Sequence, residues 1–276
     1  MQPDDHDDDR VYRLAQPTRG RSAVLVEVPH AGLDVPDDVR PQIVADAHAI
    51  ARDADLFVDR LYVGAPDAGA GLLVAKLSRY VVDLNRAEDD VDLDAVIDHP
   101  DPRRAQPRGV VWRLTTDGRP ALKRPLRFAE LRQRLDRFYR PYHAALVREL
   151  ERRRREHGHA ILVAGHSMPS VGRALHSDAG VRRADIVPGT RSRTSAAGRV
   201  IDLVEAHFRA AGLTVRHDDP YMGGWTTQQY GRPDAGIHVV QIEVNRALYM
   251  DESTLTYRDA DASRLGALLD DLIAKL

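Results

Sequence analysis

The sequence contains no cysteine among its 276 residues and only three lysines. The absence of cysteine excludes disulfides, thiol nucleophiles and cysteine-ligated metal sites, so any metal must be bound by histidine and carboxylate side chains. Arginine supplies the other 37 of the 40 cations. The shortage of lysine indicates a coding bias, because solvated cations of either kind contribute little to stability. A few of the arginines must nevertheless be functional.

Excess charge, aromatic residues and long apolar runs are also scarce. The net charge is −2, and aromatic residues make up 5% of the chain. Both observations argue against a protein that binds nucleic acid through bulk positive charge or stacking. No apolar run approaches the ~20 residues of a membrane helix, and the N-terminal sequence MQPDDHDDDR is acidic where a signal peptide is basic and then apolar. We therefore expect a cytoplasmic protein with neither nucleic acid nor membrane as a partner.

The composition that is present, 43% hydrophobic and 30% charged, is that of a globular protein. Residues 1–21 lack periodicity and carry five aspartates, which predicts a flexible N-terminal segment. Residues 22–276 are expected to form a single domain. Its polar stretch at about 86–125 contains five prolines and is predicted to be a long excursion of the kind that covers a binding site. The sequence leaves the oligomeric state open.

Apolar, β-branched runs alternate with helical patterns along the chain. Strands are predicted from the runs AVLVEVPH, GLLVA, YVVDLN, AILVAGH, ADIVPG, GLTVRH and IHVVQIEV. Helices are predicted near 37–53, 56–62, 126–156, 195–211 and 260–276, the third interrupted at Pro141. This alternation predicts an α/β fold with a mixed, mainly parallel central sheet and helices on both faces. Sites in such sheets lie at the carboxyl ends of strands.

Three of these strands end in, or contain near their end, a residue suited to metal or acid–base chemistry: His30, His166 and Glu243. A hydrolytic zinc site requires three protein ligands, an open position for water and a nearby carboxylate. Glu243 interrupts an apolar strand, where an unpartnered carboxylate would cost several kcal/mol. It therefore needs a metal, a proton or a cation, and an ion pair with Arg246 or another arginine is the structural alternative.

The third metal ligand has two candidates, Asp53 and Asp55, of which one could instead cap the neighbouring helix. A further cluster lies in SRYVVDLNR, which contains Arg79, Asn85 and Arg86. An arginine beside an asparagine amide is suited to bind a substrate carboxylate, and a second arginine near a metal could polarise a carbonyl. The alternative for this string is a surface ion-pair cluster.

The order of these motifs resembles that of the N-formylglutamate amidohydrolases, zinc enzymes related in fold to zinc carboxypeptidases and to the aspartoacylase and succinylglutamate desuccinylase group. The resemblance extends from about Ala23 to Glu252. It rests on VPHAGLDVP, DADLFVDRLY, SRYVVDLNR, TTDGRPAL, GHSMPS, DIVPGTR, PYMGGWTTQQYG and QIEVNRALYMDE. Leu33 is a departure, because the carboxypeptidase pattern has glutamate three residues after its first histidine.

The resemblance implies a role for each matching residue. It makes His30 and His166 zinc ligands, and it favours Asp55 over Asp53 as the third ligand. Glu243 would be the base that activates water. The substrate would be held or polarised by five further residues: Arg79 at the scissile carbonyl, Asn85 and Arg86 at a carboxylate, and Arg191 and Tyr221 as additional contacts.

The function implied by this resemblance is the zinc-dependent hydrolysis of N-formyl-L-glutamate, a small anionic N-acyl amino acid, to formate and L-glutamate in histidine degradation. TTDGRPAL favours that substrate over others of the wider group. One alternative is a related amidohydrolase that acts on another N-acyl amino acid or a short peptide. Another is a binding protein that retains the fold without catalysis.

Overall fold

A computed structural model describes residues 10–101 and 108–276 of the chain. The strands are β1 (Tyr12–Ala15), β2 (Val24–Val28), β3 (Gly71–Ala75), β4 (Val96–Ile97), β5 (Leu126–Arg127), β6 (Ala160–Met168), β7 (Ile186–Gly189), β8 (Ile237–Asn245), β9 (Met250–Asp251) and β10 (Thr256–Tyr257). The α-helices are α1 (Ala47–Asp53), α2 (Val58–Leu61), α3 (Phe128–Arg134), α4 (Arg140–His157), α5 (Gly198–Ala210), α6 (Trp225–Tyr230) and α7 (Asp259–Lys275).

Six strands form the central sheet, in the order β1-β3-β2-β6-β8-β7. The four inner strands run parallel, while β1 and β7 are antiparallel edge strands. Every residue of β2, β6 and β8 is buried, as expected for parallel strands that are covered on both faces. The predicted α/β fold with a mixed, mainly parallel sheet is therefore confirmed.

Helices cover both faces of this sheet, and successive residues of each strand alternate between them. One face presents Leu25, Leu162 and Val239 to a core that includes residues of α3 and α4. The other presents Val26 and Val163 to a core that includes residues of α2, α5 and α7. The first face carries the site described below. No helix in the described part of the chain is both long and apolar enough to cross a membrane.

The structure corrects three sequence-based expectations. Strand β1 pairs with β3, so the predicted flexible segment 1–21 contains an ordered strand, while residues 1–9 lie outside the described residues. The run YVVDLN forms turns rather than a strand. The run GLTVRH contributes only one isolated bridge, between Val215 and Ile186. In each case tertiary pairing, rather than local composition, decides whether a segment becomes a strand.

The turns at 80–86 are held by the helical segment that was predicted to break at Pro141. A π-helical turn, Leu135–Tyr139, separates α3 from α4, and Pro141 lies in the first turn of α4. Side chains of this segment donate hydrogen bonds of 2.8–3.2 Å to backbone carbonyls of residues 80–86; they belong to Arg134, Tyr139 and His143. These bonds satisfy carbonyl groups that a strand would pair within a sheet.

Candidate active site

A cavity of about 820 Å³ opens where β2, β6 and β8 end. The sheet face that carries Leu162 and Val239 presents polar side chains towards the carboxyl ends of these strands. Parallel pairing places His166 directly opposite Glu243. All nine residues predicted for the site line this one cavity: His30, Asp55, Arg79, Asn85, Arg86, His166, Arg191, Tyr221 and Glu243.

His30, Asp55 and His166 form a buried cluster whose potential ligand atoms all lie within 4.8 Å of one another. Asp55 Oδ2 is 2.9 Å from His166 Nδ1 and 3.5 Å from His30 Nδ1. Burial opposes ionisation of Asp55, but the neighbouring imidazoles of His166 and His30 hold its pKa well below the usual range. The cluster therefore presents a carboxylate between two imidazoles.

The hydrogen bonding of His30 shows that this cluster fits a metal ion. Its Nε2 lies 2.8 Å from Asp83 Oδ1, and because a carboxylate only accepts hydrogen bonds, the proton is on Nε2. The lone pair of His30 Nδ1 then faces the cluster, where this buried atom has no hydrogen-bond partner in the described part of the chain. Two imidazoles and a carboxylate are a donor set typical of zinc, and a carboxylate behind a liganding histidine fixes its tautomer.

Asp53, the other candidate for the carboxylate ligand, points away from the cluster. It accepts hydrogen bonds from Tyr80 Oη at 2.6 Å, Thr116 N at 2.9 Å and Arg173 Nη1 at 3.1 Å. Asp53 therefore fastens three loop segments beside the cavity. The expectation that one of the two aspartates caps the helix that follows them was wrong, because Phe57 is the N-cap residue of α2 and no side chain in the described ranges caps this helix.

Arg246 holds Asp55 in place rather than pairing with Glu243. Its Nη2 lies 3.4 Å from Asp55 Oδ1 and donates a 2.5 Å hydrogen bond to the carbonyl of Ala54. It also contacts Ser167 Oγ at 3.1 Å. The alternative of a Glu243–Arg246 ion pair is therefore wrong.

Glu243 is buried beside the cluster without an ion-pair partner among the residues that the structure describes. Its Oε1 accepts a 2.8 Å hydrogen bond from Gln241 Nε2. Burial raises the pKa of Glu243, although His166, His30 and Arg79 oppose the rise. A carboxyl group with a raised pKa in a cleft is suited to accept a proton from water.

Asp83 connects the cluster to Arg79. Its Oδ2 accepts hydrogen bonds from Arg79 Nη2 at 2.7 Å and from Trp112 Nε1 at 2.8 Å, and the Arg79 guanidinium lies 4.3 Å from the centre of the indole ring. Asp83 is fully buried, yet Arg79 and His30 outweigh burial and hold its pKa well below the usual range. SRYVVDLNR is therefore no surface ion-pair cluster.

Asn85 and Arg86 follow directly at the cavity wall. Asn85 Nδ2 lies 3.3 Å from His166 Nε2, and its Oδ1 accepts a 2.9 Å hydrogen bond from Thr226 N. These contacts fix the amide next to the cluster. Arg86 forms a 3.4 Å ion pair with Asp90 on the same side of the cavity.

Arg191 enters the cavity from a left-handed turn. Arg191, Ser192 and Arg193 have φ values of 54°, 59° and 65°, a conformation that costs non-glycine residues of order 1–3 kcal/mol each. Asp218 compensates by accepting hydrogen bonds from Thr190 N at 2.7 Å and Ser192 N at 2.6 Å. Strain of this kind is typical of functional sites, and here it directs an arginine towards the cavity.

Tyr221 lies against Arg183, whose guanidinium carbon is 5.1 Å from the centre of its ring. Arg183 in turn forms a 2.7 Å ion pair with Asp178.

Residues 22–250 match the family model described as N-formylglutamate amidohydrolase. The chain belongs to the N-formylglutamate amidohydrolase family.

Similar proteins extend over almost the whole chain. An N-formylglutamate deformylase of Pseudomonas aeruginosa is 34% identical over 262 residues, 94% of each chain. One of Pseudomonas putida is 32% identical over 262 residues, which are 94% of this chain and 93% of that protein. The crystal structure of N-formylglutamate amidohydrolase from Ralstonia eutropha JMP134 has a TM-score of 0.88 and 31% identity, with 96% of each chain covered. The gene product Atu2144 from Agrobacterium tumefaciens, at 21% identity and a TM-score of 0.69, shares the fold. The family predicted from the sequence is confirmed.

In this member of the N-formylglutamate amidohydrolase family, sequence reasoning missed several residues that line the cavity. They include Trp112 and the arginines 108, 173 and 183. No spacing signal could have distinguished these arginines among 37. The excursion, however, was predicted to cover a site, and its residues Arg108, Trp112 and Thr116 do line the cavity.

Proposed function

We propose that this chain hydrolyses the amide bond of N-formyl-L-glutamate to formate and L-glutamate, using a zinc ion bound by His30, Asp55 and His166. The observation that carries the proposal is His30 Nδ1, which faces Asp55 and His166 and has no hydrogen-bond partner among the described residues. The names of the full-length relatives support the choice of substrate, and an arginine-lined cavity suits an anionic one.

The proposed mechanism assigns a proton transfer to Glu243 and charge stabilisation to Arg79. A zinc ion in the cluster would lower the pKa of water and polarise the formyl carbonyl. Glu243 accepts the proton of the attacking water on Oε2, because Gln241 already binds Oε1. Arg79 stabilises the negative charge that develops on the formyl oxygen. Glu243 then returns the proton to the departing amine, so that formate and the free amino acid leave.

Three further residues are proposed to hold the substrate. Asn85, Arg86 and Arg191 line the cavity around the cluster, and their amide and guanidinium groups are suited to carboxylates. Tyr221 provides an additional wall. The cytoplasmic location and the place in histidine degradation stay predictions.

The substitution Glu243→Gln tests the mechanism. It should lower kcat for formate release by ~10² or more, because the amide cannot act as a base. Zinc content should remain unchanged, since Glu243 is not a ligand in the proposal. Glu151→Gln is the control: Glu151 lies on α4, pairs with Arg154 at 2.8 Å and is remote from the cavity lining, so it should retain full activity. Full activity of Glu243→Gln would overturn the mechanism.

The cationic cavity also suits other N-acyl amino acids with negative charge. Turnover of N-formyl-L-aspartate and N-acetyl-L-glutamate, compared with N-formyl-L-glutamate, distinguishes these substrates. A higher kcat/KM for either one would replace the proposed substrate. A purified protein that releases no formate and contains no zinc would instead indicate a binding protein of the same fold.

A further inference from the structure

Among the described residues, seven arginines line the cavity, and their ion pairs separate them into two groups. Five pair with carboxylates: Arg79 with Asp83, Arg86 with Asp90, Arg173 with Asp53, Arg183 with Asp178 and Arg246 with Asp55. In the described ranges 10–101 and 108–276, Arg108 and Arg191 form no ion pair. Arg191 Nη1 does donate a 3.3 Å hydrogen bond to the carbonyl of Gly223, whereas the guanidinium of Arg108 contacts, among the residues that the structure describes, only the ring of Trp112.

Arg108 is held on the excursion next to the indole of Trp112. An antiparallel bridge joins the two backbones, and the guanidinium carbon of Arg108 lies 5.9 Å from the centre of the ring. Arg79 lies 4.3 Å from the same ring. The two cations therefore share one aromatic platform, which is fixed by the hydrogen bond from Trp112 Nε1 to Asp83.

The surroundings of Arg108 favour an anion. Burial lowers its pKa first, and the like charges of Arg86 and Arg79 lower it further. A half-buried cation among other cations is destabilised, and binding of an anion relieves this repulsion. Its guanidinium can offer two parallel N–H groups to a carboxylate, because no acceptor in residues 10–101 or 108–276 uses them.

We propose that Arg108 binds the side-chain carboxylate of the substrate and so selects N-formyl dicarboxylic amino acids over neutral ones. The inference rests on the proposed function. His30 contacts Asp83, Asp83 contacts Trp112, and Trp112 contacts Arg108. Two residues therefore separate Arg108 from the proposed metal ligands. In N-formylglutamate the side-chain carboxylate is likewise the charged group more distant from the formyl carbon, since two methylenes follow Cα.

The test compares N-formyl-L-glutamate with N-formyl-L-glutamine, which has the same shape without the side-chain charge. The wild-type protein should prefer the glutamate derivative in kcat/KM. Arg108→Gln should lower kcat/KM for that substrate by roughly 10- to 100-fold, the usual effect of losing a hydrogen-bonded ion pair to a charged ligand. Its kcat/KM for the glutamine derivative should change by less than about threefold, so the preference collapses.

Two variants control for fold and charge. Arg119→Gln removes a cation from the same excursion that is half-exposed, pairs with Asp117 and does not line the cavity, and it should keep the wild-type preference. Arg108→Lys retains the charge without the fork and should show an intermediate preference. Equal losses on both substrates, or no loss on either, would overturn the assignment of Arg108. Wild-type protein that releases formate from neither substrate would instead refute the proposed function.

Discussion

Replacing Asp83 with asparagine tests the connection between the His30–Asp55–His166 cluster and the rest of the site. In the wild-type protein both oxygens of this fully buried carboxylate are used. Oδ1 faces His30 Nε2 at 2.8 Å and Asn85 N at 3.0 Å, while Oδ2 faces Arg79 and Trp112. Every partner is an N–H donor. The amide NH₂ of Asp83→Asn would therefore face donors in either orientation, and Arg79 would lose its counter-charge.

The expected loss of stability follows from burial. Removing one partner of a buried ion pair costs about 3–5 kcal/mol, and the lower end applies because the Arg79 side chain retains 16% exposure. Loss of the carboxylate behind His30 should also weaken zinc affinity about 10- to 100-fold. Asp90→Asn is a matched control: Arg86–Asp90 has the same i, i+4 spacing, but both side chains are partly exposed. It should cost less than about 1 kcal/mol.

Urea unfolding of metal-free protein measures the first effect, and chelator competition measures the second. The pH dependence is a separate check, because the folded pKa of Asp83 is lowered. Its contribution is fully present above the unfolded value of about 4 and is lost as pH falls through the folded pKa. The stability difference between wild type and Asp83→Asn should therefore shrink below about pH 4. Equal effects of Asp83→Asn and Asp90→Asn at pH 7 would refute this account.

Two further substitutions probe the supports of the site. Burial lowers the pKa of His143 to about 4. Its neutral form therefore stabilises the fold above pH ~6.5, and this contribution of up to about 3 kcal/mol is lost as pH falls from 6.5 to 4. His143→Gln should remove that pH dependence in urea unfolding, and an unchanged profile would contradict this account. Gly224→Ala would place a Cβ 2.3 Å from Asn85 Nδ2 and so displace the Asn85 amide. Displacement of a site residue by about 1 Å can lower the reaction rate 10²-fold. We therefore expect kcat/KM to fall at least ~10-fold while the melting temperature changes little. Wild-type kinetics in Gly224→Ala would show that Asn85 can move without consequence.

The positions of His30, His166 and Glu243 could be predicted because these residues lie where strands end. His166 and Glu243 interrupt or close apolar runs, and parallel pairing brings them side by side. The choice between Asp53 and Asp55 depended on contacts that spacing does not encode: Tyr80 and loop residues bind Asp53, which leaves Asp55 for the histidines.

Glu27 carries the same sequence signal as Glu243, an acidic residue within an apolar strand. It interrupts the apolar strand β2 as Glu243 interrupts β8, and it is fully buried with a raised pKa caused by burial. Tyr142 on α4 donates a 3.2 Å hydrogen bond to it. An acidic residue within an apolar strand is thus buried in both cases, and only the structure shows that Glu243 lines the cavity while Glu27 does not.

The π-helical turn at Leu135–Tyr139 determines which helical side chains point towards the turns at 80–86. Residues five positions apart on a regular α-helix point about 140° away from each other, yet Arg134 and Tyr139 both reach residues 80–86. The wider turn takes up one residue and brings both side chains to the same side. Deleting a single residue here would restore a regular helix but turn one of these side chains away from the loop. The number of residues in this helix is thus constrained by the turns that it holds. The π-helical turn, which lies outside the cavity, helps to position Arg79, Asn85 and Arg86 beside the cluster.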